Sequence, residues 1–217
     1  MKNKIIQAKN TFWNLPDDKR RRIEEALVLE FASQGYRKAS LNRVVKELGI
    51  AKGSLYQYFA NKEGIFLFIF ARFTRLVKET AGKQAELSEV GDFWKIVRRV
   101  FLAGLAFVDK YPIYYQFYLQ ALFEHDVPRR EDIIRQVRLF SWEYFGPLVE
   151  EGQRRGLIRS EISGRMVVFM IDAAMDRFLQ GYARTYLDDG LGLTGKSRTE
   201  IVTEIEMMLD VLRHGLA

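Results

Sequence analysis

The sequence predicts an all-α protein with an N-terminal helix-turn-helix, on three observations. Apolar residues recur at helical spacing along most of the 217 residues. Only four prolines occur, and no segment alternates apolar and polar residues between hairpin turns. Two short helical patterns meet at Gly49, within residues 41–62. We expect about nine helices in two domains.

The N-terminal segment predicts four helices. Pro16 suits a first helical turn, and Asn61 suits an N-cap. Gly35 and Gly49 stand where helices should end, because glycine tolerates the backbone conformation that a sharp turn requires. The predicted ranges are about 16–35, 41–48, 52–59 and 61–78.

A polar stretch at 81–92 precedes five further helical patterns. Pro147, after Gly146, is expected to kink or interrupt the third of them. The predicted ranges are about 92–110, 112–125, 129–155, 163–187 and 198–215. We expect a helix-turn-helix domain at 1–60, with an extension at 1–15, and a larger helical domain at 61–217.

Positive charge is concentrated in the first third of the chain. Residues 1–78 carry 16 Lys and Arg against 7 Asp and Glu, whereas residues 79–217 carry 18 against 21. A basic segment beside a near-neutral body favours a polyanion such as DNA. By charge alone, a solvated basic face without a partner is an equally good interpretation.

Composition argues against several other classes. The absence of cysteine excludes disulfides and fits a cytoplasmic location, and two histidines cannot build a histidine-rich metal site. The longest apolar stretches, 64–71 and 100–108, are far shorter than the about 20 residues of a spanning helix, so no membrane partner is expected.

Two short motifs resemble functional sites but are interpreted as ordinary loops. Residues 190–195 fit the dinucleotide pattern G-x-G-x-x-G, yet a helical pattern precedes them where that fingerprint needs a strand. Residues 124–126, Glu-His-Asp, are interpreted as a solvated turn at a helix end. We expect no cofactor, no metal and no enzymatic activity.

The helix-turn-helix interpretation depends on how apolar and polar residues divide. Four apolar residues, at 41, 44, 45 and 48, share one helical face. Leu55 and Phe59 anchor the next helix, whose other residues are small or polar and can bind phosphates and base edges. A plain helical hairpin with a solvated face is the alternative.

The segment also resembles a known family. The run FASQGYRKASLNRVVKELGIAKGSLYQYFANKEGIF at 31–66, preceded by FWNLPDDKRRRIEEA, resembles the DNA-binding segment of the tetracycline-repressor (TetR-like) family. The resemblance covers about residues 12–70. Ala51 departs from it, because serine often caps the recognition helix there.

The resemblance implies roles for individual residues. Matching positions contact phosphate at Ser40, Lys52, Tyr56, Tyr58 and Lys62. Matching positions face bases at Asn42, Gly53, Ser54 and Gln57.

The C-terminal part predicts a ligand site and a dimer by composition. Aromatic residues with a few polar groups suit an apolar or aromatic ligand. The candidates are Phe101, Tyr114, Tyr118, Trp142, Phe145, Phe169 and Asp176. The helical pattern at 163–187 is apolar all round and the last helix has a wide apolar face, which fits a homodimer, as the resemblance also implies; a monomer with a thick core is the alternative. Its expected interface residues are Met166, Met170, Phe178, Ile201, Ile205, Met208 and Leu212.

These features predict a dimeric transcriptional repressor that a small molecule releases from a palindromic operator in double-stranded DNA. The alternative is an architectural DNA-binding protein, or a regulator without a small-molecule ligand. A helical enzyme is the remaining hypothesis, but it lacks a recognisable nucleophile-base pair.

Overall fold

The computed structural model describes residues 8–85, 92–188 and 190–216. Those ranges contain ten α-helices, two short 3₁₀ helices and no strand, which confirms the predicted all-α fold. The α-helices are α1 Asn10–Trp13, α2 Asp17–Lys38, α3 Leu41–Leu48, α4 Lys52–Tyr58, α5 Lys62–Ala85, α6 Phe93–Lys110, α7 Pro112–Phe123, α8 Arg130–Arg154, α9 Gly164–Ala183 and α10 Arg198–Leu216. The 3₁₀ helices are Thr185–Leu187 and Leu193–Gly195.

Local capping signals explain why several predicted ends agree with the structure. The Ser40 side chain accepts a hydrogen bond from the Arg43 amide at the start of α3. Gly49 ends α3 in the left-handed conformation, with φ 64° and ψ 30°. The Asn61 Oδ1 accepts a hydrogen bond of 2.7 Å from the Gly64 amide at the start of α5.

Three features differ from the sequence prediction. Helix α1 was not expected, and it makes ten helices where about nine were predicted. Helix α8 continues through Pro147, so it is not interrupted there, and the alternative of a kink stays a prediction; Phe145 and Val149 are buried on either side of Pro147. Helix α9 ends at Ala183, earlier than predicted, because Arg184 adopts an extended conformation before a 3₁₀ turn.

The chain divides into two compact units. Unit 1 comprises Met1–Leu76 and Tyr111–Glu131, and therefore holds α1 to α4, most of α5, and α7. Unit 2 comprises Val77–Lys110 and Asp132–Ala217. The functional boundary predicted at residue 60 stays a prediction.

Aromatic packing forms much of the core of unit 1. Phe66 on α5 contacts Phe31 on α2 and Phe117 on α7, with ring centroids 5.4 and 4.8 Å apart. Gln116 on α7 also donates a hydrogen bond of 2.9 Å to the Ala32 carbonyl on α2. Helix α7 is therefore an integral part of the unit that carries the helix-turn-helix.

A break in α2 at Gly35 is held by a carboxylate from α7's end. Gly35 leaves the helical conformation, with φ 69° and ψ 174°. The next two amides, of Tyr36 and Arg37, donate hydrogen bonds of 2.6 and 2.9 Å to Glu124. Glu124 thus caps the last turn of α2, and the solvated turn expected at 124–126 is wrong at this residue.

Unit 2 is built from α6, α8, α9 and α10. Its core includes Val97 and Leu105 from α6, Ile171 from α9, and Ile201 and Ile205 from α10, all of them almost fully buried. Within the described ranges of the chain, no helix is long and apolar enough to cross a membrane.

We predict that Gly35→Ala lowers the free energy of unfolding by about 1–3 kcal/mol. A Cβ there meets a positive φ that disfavours side chains and lies 2.6 Å from the Glu124 Oε2. Urea denaturation measures the change. Gly53→Ala is the matched control, because Gly53 lies in a helix with open space around it and should lose no stability. Equal midpoints for the two variants would contradict the prediction.

Candidate DNA-binding surface and ligand cavity

The helix-turn-helix is fixed by hydrogen bonds at both ends of α3. The Ser40 amide donates a hydrogen bond of 2.7 Å to the buried Glu30 carboxylate, which also lies 3.6 Å from Arg43. At the other end, the Ile50 amide donates to the Val45 carbonyl across Gly49. The turn therefore has a defined geometry, and it sets the direction in which α4 leaves α3.

The side of α4 away from the core carries the predicted base-facing residues. Leu55 is buried against the core, whereas Gly53 and Gln57 are exposed and Ser54 is half-buried. Asn42, near the start of α3, is also exposed. Three of these four positions are therefore exposed to solvent, and the fourth is partly exposed.

The predicted phosphate contacts fall into different environments. Tyr56 is exposed, and Ser40 lies half-buried at the start of α3. The side chain of Lys52 lies outside the part of the structure that is described. Tyr58 is only 6% exposed, and its ring packs 6.1 Å from the ring of Phe12.

Lys62 has a structural role that the sequence did not suggest. Its ammonium donates hydrogen bonds of 2.6 and 3.3 Å to the carbonyls of Ala39 and Arg37, just beyond the break in α2. It also lies over the ring of Tyr36, 5.1 Å from the centroid. Burial lowers the pKa of Lys62, and the carboxylates of Glu124 and Glu30 oppose that shift. Phosphate binding by Lys62 and Tyr58 stays a prediction.

The chain is similar in sequence and in structure to known proteins. Residues 23–69 match the family model of bacterial regulatory proteins, tetR family. The HTH-type transcriptional regulator YhgD of Bacillus subtilis (strain 168) is 28% identical over 65% of this chain and 73% of its own length. A crystal structure of a TetR family transcriptional regulator from Chloroflexus aurantiacus is 27% identical, with a TM-score of 0.75, and covers 97% of this chain and 98% of that chain.

Residues 23–69 place the DNA-binding segment of this chain in the TetR family, and the chain as a whole is similar to TetR-family regulators. Its relatives are transcriptional regulators, which confirms the DNA-binding class and rejects the enzyme hypothesis. The probable acrEF/envCD operon repressor of Escherichia coli (strain K12) is 23% identical over 75% of each chain. FadR from Bacillus subtilis, solved in complex with stearoyl-CoA, shares the fold at 16% identity, with a TM-score of 0.68, over 91% of this chain and 99% of that chain.

A cavity of about 560 Å³ lies between α8 and α9 in unit 2. Three of the predicted ligand residues line it: Trp142, Phe169 and Asp176. Arg138 bridges two carboxylates on its wall, since it pairs with Asp172 and, at 2.9 Å, with Asp176. The charge of Asp176 is therefore already compensated. The Arg165 guanidinium lies 4.7 Å from the centroid of the Trp142 ring, whereas Phe169 is exposed.

The other predicted ligand residues do not line this cavity. Phe101 and Phe145 are buried in the core of unit 2. Tyr118 stacks on Phe73 in unit 1, with centroids 4.9 Å apart. The Tyr114 hydroxyl donates to Glu24, and burial, with this carboxylate adding to it, raises the pKa of Tyr114. Contacts with residues distant in sequence determine whether each of these aromatic side chains is buried in a core or lines the cavity. Aromatic composition alone could not distinguish the two cases.

The predicted dimer residues also divide into two groups. Met166 and Met170 are exposed on α9, and Met208 is half-buried on α10. The remaining four are at most 8% exposed within the single chain, so they pack in its own core, and their contact with a second copy stays a prediction. They are Phe178, Ile201, Ile205 and Leu212.

No cluster of three His, Cys, Asp or Glu side chains suited to a metal occurs among the described residues.

We predict that Lys62→Met lowers the free energy of unfolding by about 1 kcal/mol without any DNA present, because two carbonyls lose their donor. Thermal denaturation of the free protein measures this. Lys46→Met, at an exposed lysine on α3, is the charge-matched control and should melt as the wild type does. A Lys62→Met protein as stable as the control would mean that the ammonium does not support the fold.

Proposed function

We propose that this protein is a dimeric, sequence-specific repressor that a small, largely apolar or aromatic molecule releases from a palindromic operator. The exposed polar side of α4, set at a fixed angle by the capped turn, carries the DNA-binding part of the proposal. Two such helices in a dimer enter successive major grooves about 34 Å apart. The excess positive charge at 1–78 supplies phosphate affinity, and the protein acts in the cytoplasm, where its DNA is.

The dimer part is supported by exposed apolar side chains on the last two α-helices. Met166, Phe169 and Met170 lie on one side of α9, and Phe169 is 63% exposed. Met207 and Val211 are exposed on α10, which contacts α9. Exposed apolar residues grouped in this way mark interaction surfaces, because leaving them in water is unfavourable. A second copy of the chain is the occupant that a palindromic operator requires.

The ligand part is supported by the cavity and by related proteins. A volume of about 560 Å³ suits a small molecule, and Trp142 and Phe169 offer aromatic surface. FadR from Bacillus subtilis holds stearoyl-CoA on the same fold, and the Escherichia coli relative is named a repressor. A second copy on the α9 face would cover Phe169 and so help to enclose the cavity. The ligand acts by binding one arrangement of the dimer more tightly than the other. Mass spectrometry of natively purified protein identifies it.

The test of DNA recognition is selection from random duplexes, followed by two variants. We predict that the wild type enriches a palindrome and that Gln57→Ala weakens binding to it by about 1–3 kcal/mol, with little effect on unrelated duplexes. Tyr56→Phe should weaken binding to all duplexes alike, because a phosphate contact carries no sequence information. Tyr186→Phe, at an exposed tyrosine of unit 2, is the control. Failure to enrich any sequence would refute the proposal.

For the dimer, we predict that Phe169→Glu shifts the protein from dimer to monomer in sedimentation velocity, because a buried, unpaired carboxylate is costly at an apolar interface. Tyr186→Glu places the same charge at a more exposed aromatic residue of unit 2, outside α9, and should remain dimeric. A dimer that tolerates Phe169→Glu would move the interface away from this face of α9.

A further inference from the structure

The last turn of the recognition helix is closed by residues from the N-terminal segment. The final four carbonyls of an α-helix lack partners inside the helix. In α4, the Leu55 carbonyl accepts from the Phe59 amide. The other three accept from Lys9 and Thr11, which precede or lie in α1.

The three hydrogen bonds are all short. The Lys9 ammonium donates to the Tyr56 carbonyl at 2.8 Å, and the Lys9 amide donates to the Tyr58 carbonyl at 2.8 Å. Between them, the Thr11 hydroxyl donates to the Gln57 carbonyl at 2.6 Å. The positive charge of Lys9 also interacts favourably with the negative, C-terminal end of the helix dipole. All four terminal carbonyls of α4 are therefore satisfied.

Helix α1 is itself firmly packed, so it can serve as a support. The Phe12 ring is fully buried and lies 5.1 Å from the ring of Phe59 and 5.2 Å from that of Phe68. Arg20 on α2 donates a hydrogen bond of 3.1 Å to the Trp13 carbonyl, and its guanidinium lies 5.8 Å from the centroid of the Trp13 ring. These contacts tie α1 to α2 and α5 as well as to α4.

The carbonyls held in this way belong to the residues that face outward on α4. Tyr56 and Gln57 have exposed side chains, and a shift of their backbone would move those side chains away from phosphate and base. Binding groups need support to within about 0.5 Å if they are to discriminate between ligands. The N-terminal segment provides such support at one end of α4, and the Gly49 turn provides it at the other.

We propose that Lys9 and Thr11 are positioning residues for sequence recognition: they fix the last turn of α4 and so aim Gln57 at its base, without touching DNA themselves. This inference rests on the proposed function, because it needs a recognition helix that reads bases.

The test compares Thr11→Val with Thr11→Ser in the full-length protein. Valine keeps the shape of threonine but removes the hydroxyl donor, whereas serine keeps the donor. The probes are a duplex that the wild type enriches from a random library and a scrambled duplex of equal length. Loss of the donor should weaken binding to the enriched duplex about 3- to 10-fold. Binding to the scrambled duplex should stay within about twofold, with an unchanged salt dependence, because no phosphate contact is lost.

Thr11→Ser should restore the affinity of the wild type, which supports the role of the hydroxyl. Wild-type affinity of Thr11→Val for the enriched duplex overturns the proposal. An equal loss on both duplexes, with a lower melting temperature, also overturns it, because Thr11 would then only stabilise the fold. If the wild type itself enriches no duplex, sequence-specific function is refuted, and this inference with it.

Discussion

Capping of the two short helices α3 and α4 is the interaction on which the rest of the structure depends. Helix α3 has eight residues and α4 has seven, lengths at which an isolated helix is not stable in water. Their unpaired backbone groups are satisfied at the helix ends: the adjacent Ser40 and the Gly49 turn close α3, and the N-terminal segment, distant in sequence, closes α4. The shape presented to DNA is thus fixed mainly by hydrogen bonds at helix ends.

Where a structural signal is local, the sequence predicted the fold closely. Helix α3 has the predicted range, because Ser40 and Gly49 mark its ends within the segment itself. Helix α1 was missed, because four residues carry no periodicity and its order depends on Phe12 packing against α4 and α5. The capping role of Glu124 was missed for a related reason, since its amide partners lie 87 and 88 residues away.

The candidate sites also depend on contacts between residues distant in sequence, which limits their prediction. Helical spacing identifies apolar faces but does not say which face meets the protein's own core. Ile205 and Phe169 both fit an apolar face of the last two α-helices, yet Ile205 is fully buried and Phe169 is mostly exposed. The exposure of the residues predicted to face bases was easier to predict, because polar positions beside a glycine turn seldom pack in a core; their contact with DNA stays a prediction. The wall of the cavity contains Arg138 paired with two aspartates, and helical periodicity does not reveal such a pairing.

The placement of α7 in unit 1 has a consequence for how such proteins can be recombined. Residues 111–131 supply Phe117 to the core under the helix-turn-helix and Glu124 to the break in α2, although 34 residues of unit 2 precede them in the chain. A chimera that joined the first 60 residues to a foreign effector domain would leave Phe31 and the amides after Gly35 without these partners. The helix-turn-helix segment therefore cannot be transferred by itself. A fusion of this segment to another effector domain must also include α7.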